Sequence, residues 1–156
     1  MGVGKTAVGQ YMKRSLPDAV MLDGDWCWDA DPFIVNAETK AMVMDNICHL
    51  LNGFLRSTVY RNIVFCWVMD QQSIIDEIQS RLDTTGCKVS VISLLASEET
   101  LRQRILSDVQ GGTRTIDVLQ QSLDRLTRYQ DIKSLKVRTD GKCVQVIADE
   151  IIALFG

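Results

Sequence analysis

The first residues of the chain have the types and order needed to bind phosphate. Gly4, Lys5 and Thr6 complete the pattern G-x-x-x-x-G-K-S/T, in which a glycine-rich loop leads into a helix. Glycine lets the backbone approach a polyanion, because it has no Cβ and accepts positive φ. The lysine supplies a cation to the β- and γ-phosphates, and the threonine hydroxyl is a ligand for Mg²⁺. We therefore expect a site for ATP and Mg²⁺ in residues 2–7, called here the phosphate loop: Gly2, Val3, Gly4, Lys5, Thr6 and Ala7.

Two carboxylates follow the next apolar segment. Residues 19–22 predict a buried strand, and Asp23 and Asp25 come directly after it. One carboxylate could orient or deprotonate an acceptor hydroxyl, and either could hold Mg²⁺ through water. Trp26 and Trp28 follow in a polar loop, where such rings often line a small-molecule pocket. We expect both aspartates to be catalytic and all four side chains to contact the acceptor. Alternatively, the two aspartates only form a turn, and the two tryptophans only cover the core.

Asp70 and three arginines are the remaining candidate site residues. Asp70 ends an apolar run and could reach a phosphate-bound metal together with Thr6, or it could only cap the following helix. Arg104, Arg114 and Arg125 lie further along the chain. A guanidinium group grips two phosphate oxygens at once and stacks on adenine, although a solvated helix face also carries arginines. We expect Asp70 to be a metal ligand and the arginines to face the nucleotide.

Apolar periodicity predicts the elements that carry these residues. Strand and helix alternate along the chain, which predicts a parallel sheet with helices on both faces. Ligands bind such sheets at the carboxyl ends of the strands, where all three aspartates are expected to lie. The predicted strands are 19–22, 62–69, 88–95 and 132–137, and the predicted helices are 5–15, 37–56, 72–83, a helix from 97 to the glycine pair 111–112, 115–130 and 144–154.

The composition is that of an ordinary globular domain. The 156 residues predict a single domain, residues 1–156, and the net charge of −3 argues against coating a nucleic acid. Apolar runs are too short to span a bilayer, and the first residues form a loop and a helix where a signal peptide would stand. We expect a cytoplasmic protein without membrane or nucleic-acid partners. Its five cysteines are expected to be buried, reduced thiols: Cys27, Cys48, Cys66, Cys87 and Cys143.

The chain resembles the P-loop small-molecule and nucleotide kinases, which include adenylate, shikimate, gluconate and adenylylsulfate kinases. Residues 22–25 are similar to the acceptor-side segment, most closely that of adenylylsulfate kinases. Residues 97–104 are similar to the helix leading to the lid, with Arg104 in the place of an arginine that stacks on adenine. Arg114 and Arg125 have the spacing of arginines that embrace the phosphates. The resemblance implies a three-layer α/β/α fold, a short lid near 105–117 and an ATP-dependent phosphotransferase acting on a small molecule.

The resemblance also implies a strand ahead of the phosphate loop. In this family that strand lies in the middle of the sheet, between the strands that end here at Asp70 and Leu95. We expect it, and the first glycine of the loop, to lie upstream of Met1 in a longer protein. Without it two buried strands lose hydrogen-bonding partners, at about 1–3 kcal/mol for each unpaired group. The chain as given is expected to bind ATP poorly.

Two other classes of function stay open. A nucleotide switch or mechanical ATPase would use the same phosphate loop. The guanine-reading sequence N-K-x-D of a GTPase is absent from the chain, and Asp70 is followed by Gln71 and Gln72 where mechanical ATPases usually carry a second carboxylate. A non-catalytic scaffold that has lost ATP binding is the third class.

Overall fold

The computed structural model describes residues 2–112 and 117–155. Helices and strands alternate in it, as the apolar periodicity predicts. A short 3₁₀ turn, Gly24–Cys27, follows the first strand. The helices are α1 (Lys5–Ser15), α2 (Ala37–Leu55), α3 (Gln72–Ser80), α4 (Glu98–Gln110), α5 (Asp117–Asp124), α6 (Arg128–Asp131) and α7 (Val144–Ala153), and the strands are β1 (Ala19–Asp23), β2 (Asn62–Cys66), β3 (Ile92–Leu95) and β4 (Leu135–Arg138).

The four strands form two separate parallel pairs. β1 pairs with β2 in the register that places Asp23 opposite Cys66. β3 pairs with β4 in the register that places Leu95 opposite Arg138. α2 lies between β1 and β2 in sequence, and α4, α5 and α6 lie between β3 and β4, which is the parallel arrangement with helical connections predicted for an α/β fold. In the described residues β2 and β3 are not hydrogen-bonded to each other.

The gap between β2 and β3 exposes backbone groups of β3. The carbonyls of Val91 and Leu95 accept hydrogen bonds from Leu135 and Thr139 on the β4 side. Because peptide groups alternate along a strand, those of Ile92 and Leu94 point the other way. A cavity lies beside β3, and residues 91–95 all line it, so the edge of β3 faces this cavity. Residues 67 and 69, which follow β2, line the same cavity. β2 and β3 therefore lack a shared neighbour, as the sequence predicts.

Several elements are shorter than the apolar runs that predict them. β2 ends at Cys66 and β3 begins at Ile92, whereas the runs cover 62–69 and 88–95. A strand is defined by its ladder, and the apolar residues beside the gap have no ladder to join. The predicted helix 115–130 is interrupted where the chain tightens into i→i+3 hydrogen bonds, such as Leu126 N–H to Leu123 O at 3.0 Å. Residues 105–110, which begin the expected lid, lie in α4, which ends before the glycine pair as predicted, and residues 113–116 of the expected lid lie outside the described residues.

Helices cover both faces, which gives three layers. On one face α1 packs against β1 and β2, and α7 packs against α1 and β4; on the other face α2 and α3 pack against β1 and β2. α2 begins with a capping box in which Asn36 and Thr39 exchange hydrogen bonds between side chain and backbone. One core cluster is Val8, Val137, Ile147, Ala148 and Ile151, and the other is Leu22, Val43, Met44, Ile47, Cys48, Leu51 and Ile78.

The thiols only partly match the prediction. All five cysteines are free, and Cys48 and Cys66 are buried. Cys87 and Cys143 are exposed, so the prediction of burial is wrong for them. Cys87 lies in a turn, where its N–H bonds the carbonyl of Thr84, because β3 starts later than the apolar run. Across the ranges 2–112 and 117–155, none of the helices combines the length and apolar character needed to cross a membrane.

Candidate active site

The phosphate loop has the backbone conformation that its glycines predict. Gly4 precedes α1 with φ of 92°, and Gly2 has φ of 78°. Both values lie in the left-handed region that favours glycine. A Cβ on Gly2 would also lie 3.0 Å from the side chains of Leu101 and Ile105. Since Gly4 is the N-cap residue and has no side chain to offer, the amides of the first turn of α1 are available to an anion.

The hydroxyl of Thr6 and the carboxylate of Asp23 meet at the base of this loop. Thr6 Oγ1 donates to Asp23 Oδ2 at 2.6 Å, and the backbone N–H of Asp25 donates to Asp23 Oδ1 at 3.1 Å. Asp23 is buried, whereas the Asp25 side chain is exposed. The arrangement places one carboxylate against the phosphate loop and the second at the mouth. The cleft between them measures about 250 Å³ and is lined by Gly2, Gly4, Lys5, Thr6, Ala7, Asp23, Asp25 and Val68.

Cys66 lies beside Asp23, opposite it in the β1–β2 register. Burial above all, together with the charge of Asp23, raises the pKa of the Cys66 thiol to about 12, while Lys5 acts in the opposite direction. The thiol is therefore protonated and neutral at pH 7. Cys66 was not among the predicted site residues, because the apolar run 62–69 continues past it and gives no sign that β2 ends there.

The two tryptophans have different surroundings. Trp26 follows Asp25 in the 3₁₀ turn and is 55% exposed. Trp28 is half-buried, packs against the α2 core cluster and stacks on Phe33, with ring centroids 4.5 Å apart. Trp26 is therefore accessible to a ligand, while Trp28 holds the loop against the core. The expectation that both rings contact the acceptor stays a prediction.

Arg104 reaches from α4 to the end of β4. Its guanidinium donates to Thr139 Oγ1 at 3.0 Å and to Thr139 O at 2.8 Å. The following Asp140 accepts from the backbone N–H of Ser97 at 2.7 Å, ahead of the same helix. That hydrogen bond, more than any other cause, holds the pKa of Asp140 well below its usual range. Arg104 is thus fixed at the carboxyl end of β4, on the edge where ligands bind.

Asp70 has two arginine partners. Its Oδ2 lies 3.3 Å from Arg125 Nε and 2.9 Å from Arg128 Nη1, and the carboxylate is buried. Thr6 thus contacts Asp23, and the expectation that Thr6 and Asp70 are the metal ligands stays a prediction. Arg128 was not among the predicted site residues, although its spacing of three from Arg125 could have indicated it. Arg114 lies outside the described residues.

Comparisons with known proteins identify the family and the fold. Residues 1–120, which are most of the 156-residue chain, match the model of the AAA domain family. No curated protein matches the sequence. Solved structures with the same fold include a tunicamycin resistance protein from Deinococcus radiodurans, with a TM-score of 0.75 and 18% identity over 99% of this chain and 90% of that chain.

Three of the similar structures are kinases by name, among them a gluconokinase and a shikimate kinase. A gluconokinase from Sinorhizobium meliloti 1021 has a TM-score of 0.68 and 18% identity, covering 98% of this chain and 85% of that chain. A shikimate kinase from Aquifex aeolicus has a TM-score of 0.60 and 16% identity, covering 100% and 95%. Identities this low support a shared fold only, whereas the family model matches more than half of the sequence. The chain therefore belongs to the AAA domain family and has the α/β fold of the P-loop kinases.

Proposed function

We propose that this protein is an ATP-dependent kinase that phosphorylates a hydroxyl group of a small molecule. The observation that carries the proposal is the hydrogen bond between Thr6 and Asp23, in a cleft that also contains Lys5 and Asp25. A phosphate-binding helix N-terminus, a cation, a buried carboxylate and an exposed carboxylate thus share one cleft. Phosphoryl transfer needs this combination, because catalysis depends on positioning and on neutralising phosphate charge.

On the phosphate side, Lys5 and the amides at the start of α1 bind the β- and γ-phosphates. Thr6 and Asp23 hold Mg²⁺, since a hydroxyl and a carboxylate are oxygen ligands of the kind this ion prefers. Mg²⁺ supplies positive charge to the phosphate oxygens. In the ranges that the structure describes, there is no group of three or more His, Cys, Asp and Glu side chains suited to a metal ion. This agrees with an ion that takes its other ligands from phosphates and water.

We assign Asp70 a different role from the one its position in the sequence suggests. Its carboxylate holds Arg125 and Arg128, so it positions two cations. Arg125 then neutralises charge on the transferring phosphoryl group, and Arg114 on the segment after α4 takes a similar role. Arg104 stacks on the adenine, because its bonds to Thr139 fix the guanidinium plane at the edge of the sheet.

On the acceptor side, Asp25 orients the hydroxyl that attacks the γ-phosphate, and Trp26 and Trp28 flank the acceptor. Asp25 suits this role because it is exposed at the mouth of the cleft while its backbone is held by Asp23. Two of the similar structures are named as a gluconokinase and a shikimate kinase, whose acceptors are hydroxylated small molecules. A hydroxylated metabolite is therefore the acceptor class that we propose.

The test is ATP consumption with and without acceptors. The purified protein, together with any residues that precede Met1, is incubated with ATP and Mg²⁺, alone and with pools of hydroxylated metabolites that include gluconate and shikimate. Acceptor-dependent turnover supports the kinase, acceptor-independent hydrolysis supports a switch or ATPase, and failure to bind ATP supports a non-catalytic protein. Lys5→Ala should abolish turnover, whereas Lys13→Ala in the last turn of the same helix should not. Equal turnover in the two variants contradicts the site.

A further inference from the structure

The indole of Trp67 lies directly against the backbone of Gly24. A Cβ built on Gly24 would meet Trp67 Cγ at 2.4 Å and Cδ1 at 2.5 Å, distances that real Cβ atoms do not tolerate. Gly24 has an ordinary backbone conformation, so the ring, and not a positive φ, is what requires glycine here. The contact connects the segment after β2 with the turn between Asp23 and Asp25.

Two contacts hold the 3₁₀ turn in place, one polar and one apolar. The polar contact is the hydrogen bond from Asp25 N–H to Asp23 Oδ1. The apolar contact is the Trp67 ring on Gly24, and this ring is itself packed against the α2 core cluster. Asp23 is fixed independently by Thr6, whereas the Asp25 side chain is exposed. The direction of Asp25 therefore depends on the turn that Trp67 supports.

We infer that Trp67 is a positioning residue for the acceptor site, which holds Asp25 at the mouth of the cleft by packing on Gly24. The inference rests on the proposed function, in which Asp25 orients the acceptor hydroxyl. Acceptor binding and nucleotide binding then depend on different parts of the cleft. Displacing the turn weakens acceptor binding, while the phosphate loop, held by α1 and Asp23, continues to bind nucleotide. A displacement of about 1 Å at such a site lowers the rate by roughly 100-fold.

The experiment compares four variants with the wild type. Gly24→Ala introduces the clash, Trp67→Ala removes the ring, and the double variant combines them. Gly53→Ala is the matched control, because Gly53 lies in α2 with open space around its Cβ position. Acceptor KM and kcat are measured with gluconate and shikimate, and ATP binding is measured by calorimetry. Amide hydrogen exchange of residues 24–28 reports on the turn without any acceptor.

We expect Gly24→Ala to raise the acceptor KM by about 10-fold or more, with the Kd for ATP within about 2-fold of wild type. Trp67→Ala should accelerate exchange in residues 24–28 but leave exchange in α1 unchanged. The double variant should recover part of the loss seen in Gly24→Ala, because residues in contact have non-additive effects. Gly53→Ala should behave as wild type.

Other results overturn the inference in distinguishable ways. An unchanged acceptor KM in Gly24→Ala, or simple additivity in the double variant, rejects the positioning role alone. Unchanged exchange of residues 24–28 in Trp67→Ala rejects the contact itself, even if Gly24→Ala fails to fold. If wild-type protein shows no acceptor-dependent turnover, the proposed function is overturned and the inference with it.

Discussion

Thr6 Oγ1 donates a 2.6 Å hydrogen bond to Asp23 Oδ2, and this bond joins the first turn of α1 to the end of β1. It connects the residue next to Lys5 with the residue that begins the acceptor-side turn. The second oxygen of the same carboxylate accepts from Asp25 N–H. One buried side chain thus relates the position of the phosphate loop to that of the exposed Asp25.

The role of this pair in metal binding can be tested with conservative substitutions. Asp23→Asn keeps an oxygen that can accept from Thr6 but removes the charge, so we expect at least about a 10-fold rise in the Mg²⁺ concentration for half-maximal turnover. Thr6→Val should have a similar effect, and Thr6→Ser, which retains the hydroxyl, should stay near wild type. Magnesium titrations of initial rate give the measurement. An unaltered Mg²⁺ dependence in Asp23→Asn argues against metal binding here.

Asp70→Asn distinguishes a metal ligand from a residue that positions arginines. The substitution removes the charge that holds Arg125 and Arg128, so we expect a lower free energy of unfolding, by about 1–3 kcal/mol, and a higher KM for ATP. Its Mg²⁺ dependence should match wild type. Asp45→Asn is the control, because Asp45 pairs with Arg81 on the exposed surface. A large change in the Mg²⁺ dependence of Asp70→Asn would instead support Asp70 as a metal ligand.

Arg104 is expected to contribute to nucleotide binding through its stack on adenine. Arg104→Ala removes the guanidinium fixed by Thr139, and we expect about a 10-fold weaker Kd for ATP. Arg102→Ala, on the same helix, removes only an exposed ion pair with Glu98 and should change little. Calorimetric titration of both variants makes the comparison. Equal affinities in the two variants would exclude Arg104 from the adenine site.

The pKa of Asp140 predicts a pH dependence of stability. Hydrogen bonds from Ser97 favour the ionised carboxylate, so its pKa in the folded state lies below the unfolded value of about 3.9. Its contribution is therefore fully present above about pH 4 and is lost as the pH falls through the folded pKa. Asp140→Asn should be less stable than wild type at pH 7, and the difference should shrink below pH 4. Urea unfolding across this range checks it, and a constant difference counts against the assignment.

Hydrogen exchange tests the exposed edge of β3. The amides of Ile92 and Leu94 point into the gap beside β2, whereas those of Ser93 and Leu95 point toward β4. We expect Ile92 and Leu94 to exchange at least about 10-fold faster than the other two, since only the latter join the ladder. Residue-resolved exchange by NMR measures this directly. Equal protection of all four amides would mean that the gap is filled in solution.

Local patterns in the sequence predict the phosphate loop, the α1 helix and the order of elements. Gly4, Lys5 and Thr6 are adjacent in the chain, so their order alone is enough to predict the phosphate loop. Asp23 and Asp25 are also found at the cleft where their position after a strand places them. These features depend on short stretches of chain and on the rule that strand ends meet at one edge of a sheet.

Features that depend on distant residues do not follow from the sequence. The partner of Thr6 could equally have been Asp70, because both aspartates follow apolar runs that predict strands, and only the packed chain shows Asp70 beside Arg125 and Arg128. The contact of Trp67 with Gly24 spans 43 residues and leaves no periodic signal. Strand length also cannot be predicted from a local pattern, because it depends on which neighbouring strands complete the hydrogen-bond ladder.

The division of the strands into two pairs separates the determinants of the two proposed substrates. Asp23 and Asp25 belong to the β1–β2 pair, whereas Arg104 and Thr139 lie at the end of the β3–β4 pair. Under the proposed function, we therefore expect substitutions within residues 19–36 to change acceptor preference and to leave intact the β3–β4 pair, which is proposed to face the adenine.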